Sequence, residues 1–149
     1  MGKARWKGLK DEELFNNVIT NLLQRSGSNV HVKVEATFRD KRLVGGKYHM
    51  ATDTVFLYME PIKQQCSLLF GSLEPLETYI MIVLAHELGH ALDPDLGRLS
   101  GQLDSLLTER EVAETRLRIE ENAWDYALSI LLDIDPVMMQ LIMDESLES

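Results

Sequence analysis

The sequence predicts an α+β domain, on three observations. Apolar residues recur at helical spacing near the N-terminus, a period-two run follows, and beyond Pro61 the pattern is helical to the end. The 149 residues fit a single domain, 1–149, in which 1–10 is expected to be a loose N-terminal segment. A chain of about 150 residues buries roughly 68–70% of its extended surface, so a sizeable core needs no staples.

From Asp11 to about Arg25, the residues Leu14, Phe15, Val18, Ile19, Leu22 and Leu23 form one stripe of an amphipathic helix. Asp11, Glu12 and Glu13 suit the positive N-terminal end of that helix, and Ser26-Gly27-Ser28 ends it. Val30, Val32, Val34, Ala36 and Phe38 then alternate with polar residues, the pattern of a half-buried strand. Gly45-Gly46 reads as a turn, and Thr52 to Met59 is a second β-rich run, so two or three antiparallel strands are expected. Pro75 suits the first turn of a helix. That helix runs to about Leu92 and is apolar nearly all round, which places it in the core. Asp93-Pro94-Asp95 stops it. With no proline between Pro94 and Pro136, one long helical pattern reaches about Leu132. Asp135-Pro136 then starts a short last helix through Met143.

Composition narrows the function classes. Hydrophobic residues make up 45% and charged residues 26%, which excludes a disordered or fibrous chain. The apolar run from Ile80 to Ala85 falls far short of the ~20 residues a membrane span requires. A net charge of −9 repels phosphate backbones, so no direct nucleic-acid partner is expected. The single cysteine, Cys66, cannot form an internal disulfide, and no apolar stretch follows the basic N-terminus. Both features suit a cytoplasmic setting.

The chemistry sits on the most apolar helix, in His86-Glu87-Leu88-Gly89-His90. Histidines four apart lie on one helix face, about 5–6 Å apart at Cβ, so both rings can reach one metal. Glu87 between them is placed to act as general base toward a water there. Three polar groups interrupting an apolar helix cost several kcal/mol unless they find partners. With 4 histidines in the chain, the pattern arises by chance about once in a hundred such sequences.

A catalytic zinc takes three protein ligands, so a third is needed. A histidine six residues past His90 is absent, since that position is Leu96; His31 alternates outward from its strand, and His49 is an outsider. The better source is the later segment Ile119 to Ala127. With Ile119 at the origin of a helical wheel, the apolar face centres near about 50°, with Glu120 at about 100° and Glu121 at about 200°. Glu120 therefore lies within the apolar face and is the preferred ligand, with Glu121 the alternative. An ordinary pairing of Glu120 with Arg116 one turn earlier is the competing structural role. Tyr48, Tyr79 and Tyr126 are candidates to stabilise an oxyanion.

The pair of motifs, His-Glu-Leu-Gly-His and then Glu-x-x-Ala-x-x-Tyr-Ala, resembles the ImmA/IrrE group of small gluzincin-type metallopeptidases over roughly Gly46 to Leu132. The resemblance implies a zincin-like domain, with a small antiparallel-rich sheet packed on the metal helix and the glutamate helix. It implies zinc held by His86, His90 and Glu120, with Glu87 as general base, and hydrolysis of an intracellular protein or peptide substrate such as a repressor of a phage or mobile element. Two departures stand out. Trp124 follows Ala123 where the family often has Asn, and where larger gluzincins carry Asp to orient a histidine. A zinc-containing interaction module that binds a partner without cutting it is the alternative.

Overall fold

The computed structural model describes residues 2–38, 44–105 and 108–148. Among them the order is α1 (Gly2–Ser26), β1 (His31–Glu35), β2 (Gly46–His49), β3 (Thr54–Tyr58), α2 (Met59–Phe70), α3 (Leu76–Ala91), α4 (Leu96–Gln102), α5 (Glu109–Ile130) and α6 (Pro136–Glu148). The α+β class predicted from the sequence is the observed one. Helix α1 extends back to Gly2, ahead of the start expected at Asp11.

The three strands form a sheet of order β1-β3-β2. Strand β2 pairs antiparallel with β3, as expected, but β1 pairs parallel with it, Val32 opposite Val55 and Val34 opposite Leu57. The sheet is therefore mixed rather than antiparallel-rich. Alternation in a strand decides which face is buried, not the direction of its neighbour. The central strand β3 is buried along most of its length, whereas β1 alternates.

Helix α3 is the axis of the molecule. Its sequence is apolar on all sides, and it packs against α1, α5, β2, β3, α2 and α6 in turn. Phe15 and Leu22 of α1, Leu57 of β3, Ile62 of α2, and Ile80, Leu84 and Leu88 of α3 are wholly buried and make the centre of the core. Among the described residues, no helix is long and apolar enough to cross a membrane.

The long helical pattern after Pro94 is two helices. Thr108 caps α5: its Oγ1 accepts from Glu111 N at 3.1 Å and lies 2.8 Å from Glu111 Oε1. That Thr-x-x-Glu box supplies a helix start that proline counting does not register. Helix α6 starts as expected, Val137 N donating to Asp135 Oδ1 at 2.9 Å.

Candidate metal centre

The two helices that carry the motifs meet at small residues. A methyl placed on Gly89 would stand 2.8 Å from Ala123 Cα and closer still to Ala123 carbonyl oxygen, so the backbones of α3 and α5 touch there. Only glycine permits this approach. One turn earlier on each helix stand His86 and Glu120, so the crossing point fixes how far Glu120 must reach. A second fastening lies beyond it, where Asn122 Nδ2 donates to Asp93 Oδ2 at 3.2 Å.

Strand β2 closes the other side. A methyl on Gly46 would stand 2.9 Å from Glu87 Cγ and 3.0 Å from Val83 Cγ1. Gly45-Gly46 thus does more than turn the chain, because Gly46 opens β2 and lets its backbone lie on α3 where Glu87 emerges.

Within this frame, donor atoms of His86, Glu87 and His90 all lie within 4.8 Å of one another, a group that could hold a metal ion. Glu120 joins them. Its Oε2 lies 2.6 Å from His86 Nε2, and its Oε1 lies 3.4 Å from His90 Nε2. Ligands about 2.1 Å from a tetrahedral metal stand about 3.4 Å from each other. The His90 spacing is that of two ligands on one metal, whereas the His86 spacing is that of a direct hydrogen bond, which Glu120 would exchange for the metal. The donor set of two imidazoles and a carboxylate suits a borderline metal such as zinc.

The sequence wheel is corrected in one respect. The buried residues of α5 are Ala123, Trp124 and Ala127, which centres the buried stripe near about 90° rather than about 50°. The stripe therefore runs through Glu120 itself. Glu120 remains 38% exposed at its side chain, because it looks into a cleft, while Glu121 and Asp125 are exposed on the far side. Glu120 meets the two histidines rather than Arg116.

Charge balance in the cluster is strongly coupled. Burial pushes the His86 pKa down, but the Glu87 and Glu120 carboxylates outweigh it and raise the value to about 10. Burial works against the charged form of Glu120 too, yet hydrogen bonds from His86 and His90 hold its carboxyl well below the ordinary range. Glu87 is 6% exposed, and its Oε2 lies 3.1 Å from His86 Nδ1.

The remaining face of His86 is covered by Trp124, whose ring stacks on it at 4.4 Å between centroids and 26° between planes. The cluster opens into a cleft of about 1000 Å³ lined by α2, α3, α5 and α6, with Leu68, Leu69, Val83, Leu117 and Ile119 giving it an apolar wall. Tyr79 lines the same cleft, and burial pushes its pKa up to about 12. Tyr48 is engaged elsewhere, donating to Asp53 Oδ1 at 2.7 Å. His49 Nδ1 lies 2.9 Å from Thr52 Oγ1, and neither His49 nor His31 belongs to the cluster. No family model, curated protein or solved structure matches the chain.

Proposed function

We propose that this protein is a zinc-dependent peptidase of zincin-like fold, similar to the ImmA/IrrE group, that hydrolyses an intracellular protein or peptide. One observation carries the reading: the Nε2 atoms of His86 and His90 converge on the Glu120 carboxylate, with the Glu87 carboxylate beside them at the wall of an open cleft. His86, His90 and Glu120 are the ligands in this reading. When bound, zinc supplies a Lewis acid that polarises a peptide carbonyl and makes water more acidic.

The chain's own residues supply the rest. Glu87 takes a proton from the attacking water as the new C–O bond forms, then delivers it to the amine nitrogen as the C–N bond breaks. The apolar wall receives a substrate side chain, and Tyr79 is the tyrosine candidate that shares the cleft with His86. The free, buried Cys66 suits a reducing, cytoplasmic setting.

One contact favours a second reading. Glu87 engages His86 Nδ1, as a carboxylate does when it only orients a metal-binding ring. An interaction module would use Glu87 in that way alone. The Glu87→Gln variant separates the two. The zinc-loaded wild-type chain should generate new peptide termini, read by mass spectrometry, from a synthetic peptide mixture. Glu87→Gln should retain zinc and lose about 10²–10⁴-fold in cleavage rate. Equal cleavage by the variant, or none by the zinc-loaded wild type, would refute the peptidase reading.

A further inference from the structure

Among the described residues, three groups besides His90 make polar or stacking contacts with the His86 imidazole. Glu120 meets its Nε2 edge at 2.6 Å, Glu87 meets its Nδ1 edge at 3.1 Å, and Trp124 covers one ring face at 4.4 Å. On the metal reading above, two of these restraints are given up in use. Glu120 must turn its oxygen from His86 Nε2 to the metal. Glu87 cannot hold Nδ1 while it takes a proton from water. Trp124 is the restraint that remains, because its contact is with the ring face and occupies neither ring nitrogen of His86.

The position of Trp124 in the fold supports this role. It follows Glu120 by one turn on α5 and is 3% exposed. Indole has a donor and no acceptor, so it cannot orient an imidazole N–H by hydrogen bonding. Its own Nε1 is buried with no hydrogen-bond partner among the described residues. A buried donor left unpaired is costly, so the site holds this side chain for its ring rather than for its N–H.

We infer that Trp124 is a positioning residue: its ring holds the plane of the His86 imidazole in the orientation that directs Nε2 at the metal. This inference rests on His86 being a ligand, and its test is built to tell the two apart. A Trp6→Phe background leaves Trp124 as the only indole, since the chain has 2 tryptophans. In that background Co²⁺ should quench most of the remaining emission, saturating at one equivalent. Zinc affinity, measured by chelator competition on chain shown to be folded, should fall about tenfold or more in Trp124→Leu. In Trp124→Phe, which keeps a ring, it should change by less than about threefold.

Uptake of Co²⁺ at one equivalent with unchanged emission would overturn the inference, and that arm needs no substitution at Trp124. Zinc affinity equal to wild type in Trp124→Leu would overturn it also, leaving the metal reading intact. Absence of any metal uptake by the wild-type chain would overturn both.

Discussion

The contact between Gly89 and Ala123 makes Gly89→Ala the most informative single substitution. The added methyl would stand 2.8 Å from Ala123 Cα and nearer to its carbonyl oxygen. Carbon–carbon contact is favourable only from about 3.5 Å, so α3 and α5 must part by about 1 Å. Overpacking of this kind costs about 1–3 kcal/mol, while Ala in place of Gly in a helix returns about 1 kcal/mol. The net loss of stability is then only about 0–2 kcal/mol. Metal binding is far more sensitive, because ligand distances tolerate about 0.2 Å. A further ~1 Å would carry the Glu120–His90 separation, already 3.4 Å, beyond the spacing of a shared ligand shell and should weaken zinc binding by about 100-fold. Calorimetry with and without zinc reads the difference. At a zinc concentration 100 times the wild-type Kd, wild type gains about 2.7 kcal/mol, whereas a 100-fold weaker variant gains about 0.4 kcal/mol. At about 2–4 °C per kcal/mol, zinc should raise the wild-type Tm by about 5–11 °C and the variant's by at most about 2 °C. Adding Ala123→Gly should not restore the shift, since the obstruction is backbone. A full zinc-dependent Tm rise in Gly89→Ala would show that the helix crossing does not set the ligand geometry.

The other expectations concern single groups. Glu120→Gln should abolish tight zinc retention through dialysis, while Glu121→Gln, on the exposed side of α5, should leave it unchanged; the reverse outcome would mean that α5 is rotated. The zinc-free chain should lose stability as pH rises. The His86 pKa stands at about 10 against an ordinary 6.5, so its contribution is full below about 6.5 and is lost as pH rises through about 10. Glu120 works in the opposite sense: its carboxyl is held below the ordinary 4.5, so its contribution is present above about 4.5 and lost on acidification. Zinc must displace the His86 proton, so its affinity should climb by up to about tenfold per pH unit between pH 6.5 and 9. Isothermal titration in buffers of different ionisation enthalpy measures the proton released, and pH-independent affinity with no proton release would contradict this picture.

How much of this was legible from the residues depends on whether a feature is periodic or relational. Helix α3 was legible because a run that is apolar all round, broken only by His86, Glu87 and His90, has one place in a fold. The inward placement of Glu120 on α5 was legible for a similar reason, although Trp124, on the same face, moves the centre of the stripe. The break between α4 and α5 carried a signal in Thr108 and Glu111 that a proline-based reading passes over. The parallel pairing of β1 carried none, since alternation is the same in either direction. The close approach of Gly89 to Ala123 and of Gly46 to Glu87 depends on which elements meet, and a small residue in a helix does not announce its partner. The stacking of Trp124 on His86 is of the same kind.

A metal held by His86, His90 and Glu120 is the centre of the proposed function. Elemental analysis of chain purified without added metal, followed by zinc titration of the chelator-treated protein, tests this most directly. One zinc per chain is expected, at native loading or on titration, and none retained by Glu120→Gln. A wild-type chain that carries no zinc and takes up none would contradict the proposed function.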